Sequence, residues 1–255
     1  MTNTHLHFDS HLSKQKPNSI IQRDTSCPFC DREQLDEILA EQGPILLVKN
    51  KFPTLKDTLQ TVLIETDTCE SEFATYEREH LHALIRFGVE EWLRMSESGA
   101  YTSVIFYKNH GPYSGGSIHH PHMQIVGLKD VDYRDHMRPD HFVGHTIAKT
   151  PGVTFNVSTL PRIGFFEFNV LLHDFSRLDR MADYIQVAAH YTLHHFHKSC
   201  NSYNLFFYQL ENGEIACKIV PRFVTTPIFV GFSIPQVSDR IADVAAQIQE
   251  IYFAK

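Results

Sequence analysis

One series of apolar periods occurs twice along this chain, and that repetition constrains its fold more than any other feature. In the first half, "PILLVKN" and "TVLIET" are short apolar runs bounded by Pro, Asn and polar residues, which predicts strands near 45–49 and 61–65. From Ser71 to Met95 the period changes. Leu81, Leu84, Ile85, Gly88, Val89, Trp92 and Leu93 recur at helical spacing and make one face of an amphipathic helix. Strand-like "TSVIFYK" (102–108) and "HPHMQIVGL" (120–128) follow. In the second half "VTFNVS" and "FFEFNVLL" read as strands, 177–198 as a helix, and "YNLFFYQL" and "EIACKIVPRF" as two more strands. A last helix is expected near 237–252. Strand, strand, helix, strand, strand thus appears twice, as expected of a duplicated unit. The expected fold is α+β, with antiparallel sheets and one long helix per half. The expected divisions are an arm over 1–26, a first half over 27–128, a connection over 129–151 and a second half over 152–255.

The two copies differ where their last strands begin. His120-Pro121-His122-Met123-Gln124-Ile125-Val126 lies over Glu214-Ile215-Ala216-Cys217-Lys218-Ile219-Val220. The second copy joins its last two strands through "LENGE", an ordinary hairpin turn, where the first has the longer "NHGPYSGGSI". Ala216 stands where the first copy has His122, so one half is chemically equipped and the other structural.

On a strand, residues two apart share a face, so His120, His122 and Gln124 point the same way. Gly115 and Gly116 permit the backbone conformations of a concave anion-binding loop, and Ser117 adds a hydroxyl. A neutral imidazole is a competent nucleophile toward phosphorus, and its phosphoramidate retains enough energy for onward transfer. Gln124 cannot serve as a general acid near neutral pH, but its amide can donate to a phosphoryl oxygen. That combination suits transfer more than hydrolysis. The competing reading is a solvent-facing strand in a chain that carries 17 histidines.

Cys27-Pro28-Phe29-Cys30 is a CxxC turn after a polar arm, a context that favours metal over thioredoxin-type redox chemistry. A closed zinc site needs four ligands, and Cys69 with one histidine of the His-Pro-His run are the natural additions. Five cysteines, an odd number, do not suggest a secreted disulfide framework. No signal-peptide pattern and no apolar run of about 18–20 residues is visible, so a cytoplasmic location and no membrane partner are expected. A net charge of -7 argues against nucleic acid as a partner. His190, His194 and His197, at i, i+4 and i+7, are read as ordinary side chains rather than ligands, and Arg222 as a partner for a carboxylate or a phosphate.

Together these residues resemble the galactose-1-phosphate uridylyltransferase family of the histidine-triad group, which includes ADP-glucose phosphorylase-like and diadenosine-tetraphosphate phosphorylase-like proteins. The resemblance rests on His120-Pro121-His122-Met123-Gln124, on Asn109, Gly115 and Ser117 at the family's intervals before it, on the early "CPFC", and on Asn50 after the first strand. It runs from about Lys16 to the C-terminus and is strongest over 109–126.

The resemblance implies duplicated histidine-triad-like units and a nucleotidyltransferase of the uridylyltransferase type. His122 then resembles the nucleophile. Gln124, Ser117 and the amides near Gly115 and Gly116 look like phosphate holders, and Asn50 and Asn109 like nucleoside or phosphate contacts. His120 resembles a ligand of a structural zinc with Cys27 and Cys30, and Cys69 stands where the family usually has a histidine. The implied partners are a nucleotide sugar or nucleotide and a phosphate acceptor, with a second copy of the chain in a homodimer unless the fused halves suffice alone. Two departures stand out. Glu214, Ala216 and Lys218 replace the residues of a second metal site, and the family's sugar-holding glutamine has no counterpart at its usual offset, Gln236 lying nearby. Galactose is therefore not assumed. The alternatives are a nucleotide-sugar or dinucleotide hydrolase using the same site, and a non-catalytic zinc-containing nucleotide-binding protein.

Overall fold

A computed structural model describes residues 4–20, 27–35 and 37–254; of the expected arm, residues 1–3 and 21–26 lie outside the described residues. The chain divides into two units, residues 1–72 with 83–136 and residues 73–82 with 137–255.

The first unit holds a short helix α1 (Ser10–Ser13), strands β1 (Ile38–Gln42), β2 (Ile45–Lys49) and β3 (Thr58–Ile64), most of helix α2 (Arg78–Glu97), and strands β4 (Ser103–His110) and β5 (His122–Leu128). Its sheet is antiparallel in the order β1-β2-β3-β5-β4. Pairing of Leu63 with Met123 and of Phe106 with Ile125 sets one face of the sheet. The fully buried Leu84, Ile85, Val89 and Trp92 of α2 pack on this core. Gly88 sits at the closest approach. A Cβ there would fall 2.7 Å from the Phe106 ring and 3.2 Å from Leu63, so a glycine inside a helix is a packing requirement. Trp92 closes the contact by donating Nε1–H to the Val104 carbonyl at 2.9 Å.

The second unit holds strands β6 (Gly144–Thr150), β7 (Val153–Ser158) and β8 (Phe168–Leu172), helix α3 (Leu178–Tyr191), strands β9 (Tyr203–Gln209) and β10 (Ile215–Pro221), and helices α4 (Pro227–Phe232) and α5 (Ile241–Phe253). Its sheet runs β6-β7-β8-β10-β9, also antiparallel. Element for element this is the order of the first unit, with three strands, a helix and two strands in the same permutation. Met181, Ala182, Ile185 and Ala189 of α3 are fully buried, and Tyr184 and Tyr191 meet Phe155 and Phe168 of the sheet at ring distances of 5.7 and 5.9 Å.

The structure adds elements that the apolar periods did not announce. β1 and β6 begin the two units as outermost strands, and β6 lies inside the stretch expected as a connection. The expected helix over 177–198 ends as an α-helix at Tyr191 and continues as a π-turn over Thr192–Phe196. That wider turn brings His190 to His194 and His195, at ring distances of 4.4 and 5.7 Å. Among the described residues no helix is long and apolar enough to cross a membrane.

Candidate active site and metal centre

On the face of the first sheet away from the Leu63–Met123 side, β5 presents His122 and Gln124, paired across β3 with Ile64 and Val62. Leu46, Val48, Val62 and Ile64 form an apolar floor there, and Phe29 and Leu35 pack on it. Phe29, inside the CxxC turn, also lies 5.9 Å from the His120 ring and 5.4 Å from the His122 ring, edge to face with both. One aromatic side chain thus couples the cysteine turn to the strand.

The turn is closed by Cys30 N–H donating to the Cys27 carbonyl at 3.3 Å. Beyond β3, Glu65 N–H reaches the Pro121 carbonyl at 3.2 Å, and the next residue, Thr66, accepts a hydrogen bond from His120 Nε2 at 2.8 Å. A carbonyl oxygen can only accept, so the His120 proton sits on Nε2 and Nδ1 keeps its lone pair. Nδ1 lies 3.5 Å from Cys27 Sγ and 3.6 Å from Cys30 Sγ. The loop after Thr66 supplies Cys69, and one ligand atom from each of Cys27, Cys30, Cys69 and His120 lies within 4.8 Å of the others. This Cys3His cluster is able to coordinate a metal ion. Its electrostatics favour a cation. Burial disfavours a thiolate at Cys27, but the contact with the His120 ring, the Phe29 amide and Cys30 outweighs it and brings that thiol down to about 6. Burial, reinforced by Cys30 and Cys27, pushes Cys69 up to about 12. Three crowded sulfurs resist carrying more than one negative charge unless a positive ion sits among them.

His122 is held differently. Its Nδ1 donates to the His120 carbonyl at 2.8 Å, so the proton is on Nδ1 and the Nε2 lone pair is free. The side chain is 7% exposed. Burial, with the charges of Lys108, His120 and Lys16, outweighs the His120 carbonyl and lowers its pKa to about 4. At neutral pH His122 is an uncharged imidazole.

His122 and Gln124 line a cavity of about 660 Å³, and Asn50, Asn109, Gly115, Gly116 and Ser117 line it with them. Asn50 makes a turn in which its Oδ1 accepts from Phe52 N–H at 2.8 Å, leaving its Nδ2 group available. Gly115 has φ +88°, and a Cβ on Gly116 would come within 3.2 Å of Asn109. The Gly116 amide turns to Ser114 Oγ at 3.3 Å, whereas the amides of Gly115 and Ser117 have no partner among the described residues. The arm holds this loop in place, because Ser19 Oγ accepts from His119 N–H at 2.8 Å and Ile20 N–H donates to the Ser117 carbonyl at 3.3 Å.

Other side chains of the site were not singled out from the sequence. Phe52 and Lys51 line the cavity; Lys16, which the sequence marked as the start of the resemblance, lines it too, and burial pulls its ammonium below its usual range. Lys108 and Glu65 form a fully buried ion pair beside β5. The pairing of Lys108 with Met123 places that lysine beside β5 on the face away from the cavity, and no local pattern carries that register.

The family model described as "Domain of unknown function (DUF4931) N-terminal domain" matches residues 8–131, and the corresponding C-terminal domain model matches residues 134–253. A search of curated proteins finds no match. Among solved structures, a DUF4931 family protein from Bacillus cereus is 54% identical, covering 86% of this chain and 100% of that one with a TM-score of 0.78. An ADP-glucose phosphorylase from Arabidopsis thaliana with bound ADP-glucose is 14% identical over 98% of this chain and 99% of that one, TM-score 0.73. A uridylyltransferase is 13% identical over 89% and 91%, TM-score 0.68. At such identities the last two share the fold.

Proposed function

The chain belongs to the DUF4931 family, and from that premise we propose that it is a nucleotidyltransferase working through a covalent nucleotidyl-histidine. His122 Nε2 attacks the α-phosphorus of a nucleotide sugar or related nucleoside diphosphate compound. The bond from that phosphorus to its bridging oxygen breaks, and a sugar phosphate or phosphate leaves with the electron pair. An oxygen of an incoming sugar phosphate or phosphate then attacks the same phosphorus, and the P–N bond breaks to restore the Nε2 lone pair. The observation that carries this reading is the hydrogen bond from His122 Nδ1 to the His120 carbonyl, which aims an uncharged imidazole with a free Nε2 at the cavity. When Nε2 bonds to phosphorus the ring gains positive charge, and the same carbonyl then accepts a stronger hydrogen bond from Nδ1–H.

Gln124, Ser117 and the amides of Gly115 and Gly116 are assigned to the phosphoryl oxygens, and Asn50 and Asn109 to the nucleoside or its phosphate. The Gly116 amide must exchange its Ser114 partner to take part. The fold shared with a phosphorylase that binds ADP-glucose supports a nucleoside diphosphate sugar as the substrate class.

The Cys3His cluster fits zinc. Zinc–sulfur bonds of about 2.3 Å and zinc–nitrogen bonds of about 2.0–2.1 Å at a tetrahedral angle place sulfur and nitrogen about 3.5 Å apart. The two distances to His120 Nδ1 are 3.5 and 3.6 Å. With Cys27, Cys30, Cys69 and His120 as ligands no coordination position stays open, so zinc would supply rigidity rather than chemistry. His120, whose carbonyl holds His122, is the link between the two.

Isotope exchange tests the proposal. A ping-pong enzyme incorporates labelled sugar phosphate into its nucleotide sugar with no second acceptor present. Exchange at a rate comparable to turnover is expected, and turnover without any exchange excludes the covalent route.

A further inference from the structure

A second cavity, of about 510 Å³, lies wholly among residues of the second unit, and none of its lining residues lines the first. Its volume falls in the range of small-molecule sites, about 300–1,000 Å³. The wall is aromatic. Phe166 and Phe196 meet edge to face at 5.1 Å, and Tyr191 and Phe223 each lie 6.2 Å from Phe196. Phe223 is left 38% exposed in this arrangement.

Arg222 and His197 stand in this wall as donors. Arg222 is half-buried, and its NH1 donates to the neutral Asn204 Oδ1 at 2.7 Å. The sequence left a carboxylate or a phosphate as its partner; among the described residues no carboxylate pairs with it. Burial pulls its guanidinium below its usual range, and no anion offsets that. Arg240, the other lining guanidinium, is already paired with Asp243. His197 Nδ1 accepts from Ser199 N–H at 3.2 Å, so a neutral His197 carries its proton on Nε2 and offers a second donor.

An aromatic wall with one guanidinium that meets no carboxylate and one imidazole donor has a definite complement. Aromatic faces favour a planar ring, which they contact edge-on or offset. The planar fork of arginine matches a carboxylate with two parallel hydrogen bonds. A single uncompensated positive charge balances a monoanion, whereas a phosphate dianion in so apolar a setting would need a second cation. We infer that this cavity binds a small aromatic monocarboxylate, its ring against Phe166, Phe196 and Phe223 and its carboxylate on Arg222. The site is independent of the chemistry assigned to His122, so failure of either reading leaves the other standing.

The test is calorimetric titration of the full chain with 2-naphthoate and with the uncharged 2-naphthalenemethanol. The carboxylate is expected to bind at least tenfold more tightly than the alcohol, the margin of a hydrogen bond to a charged group. Arg222→Gln should reduce that preference to within about threefold while leaving the alcohol unchanged, and Arg222→Lys should restore part of it. Equal affinity for the two probes on the wild-type chain overturns the inference without any variant, so a poorly folding Arg222→Gln protein does not protect it. An unchanged preference in folded Arg222→Gln also overturns it. So does binding of neither probe together with a dimer in sedimentation velocity, because a second copy of the chain would then cover the cavity.

Discussion

One row of side chains, crossed at the same place in both sheets, separates the two units. In the first it runs Val48, Val62, Gln124, Tyr107 across β2, β3, β5 and β4. In the second it runs Asn156, Asn169, Lys218, Phe206 across β7, β8, β10 and β9. The first row is an apolar floor with one half-buried amide facing a cavity. The second is a closed polar ladder. Asn156 Nδ2 donates to the Phe142 carbonyl at 3.1 Å, Asn169 Nδ2 to Asn156 Oδ1 at 2.8 Å, and Lys218 Nζ to Asn169 Oδ1 and the His141 carbonyl at 2.8 and 2.7 Å. Glu167 Oε2 lies 3.0 Å from the same ammonium, off the hydrogen-bond direction, and both side chains are essentially inaccessible. One duplicated sheet face thus has two uses. Where its polar groups satisfy one another it is structure, and where they are left facing a cavity it is available for chemistry.

That contrast predicts where substitutions hurt and in which currency. The largest effect is expected at His122. His122→Ala should lower turnover by about 10⁴-fold, because among the described residues no other side chain lining the cavity offers an aligned uncharged imidazole. Ala216→His in the second unit should add no activity in a coupled assay of the same substrates. Lys218→Met should cost about 3–5 kcal/mol in urea unfolding, since it strands a buried Glu167 carboxylate. The double variant Lys218→Met, Glu167→Gln should recover part of that loss. At the corresponding position of the first unit, Gln124→Ala reverses the pattern. Unfolding should change by less than about 1 kcal/mol, while kcat falls by about 10²-fold as the proposed donor to the phosphoryl group is lost. Equal stability losses at Gln124 and Lys218 would break the comparison.

The smallest effect expected is that of mild acid. The folded-state pKa of His122, about 4, lies below the ordinary histidine value. The proposed nucleophile therefore stays uncharged from pH 7 to about pH 5, and single-turnover adduct formation should be nearly flat there and fall as pH approaches 4. The same depression makes protonation favour the unfolded chain. This histidine's contribution to stability is present above about pH 6.5 and declines as pH falls toward 4.

Much of this is legible in the amino-acid sequence. β2, β3, α2, β4, β5 and their counterparts follow from apolar periodicity because each buries a face. β1 and β6 were not legible, because outermost strands bury little. "ILAEQ" is mostly exposed, and "GHTIAKT" buries only Ile147. α4, "PIFVGF", is apolar in almost every position with no buried residue, so it has no period to read. The convergence of Cys27, Cys30, Cys69 and His120 could be anticipated from residue types, since thiols and an imidazole have few other reasons to meet. Phe29 against both imidazoles, the Lys108–Glu65 pair and the Asn156–Asn169–Lys218 ladder were not, because strand register and ring packing create them between residues far apart in the chain. Histidine spacing misled at the end of α3, where the π-turn replaces the expected His197 with His195 beside His190.

The central claim is that His122 takes up a nucleotidyl group. Intact-protein mass spectrometry tests it most directly. The zinc-loaded chain would be mixed with UDP-, ADP- and GDP-sugars and kept away from acid, beside His122→Ala. A mass increase equal to one nucleotidyl group on the wild type alone, from one base and not the others, is the predicted result. No adduct with any of the sugars on folded, zinc-loaded protein, or an adduct that persists in His122→Ala, would contradict it.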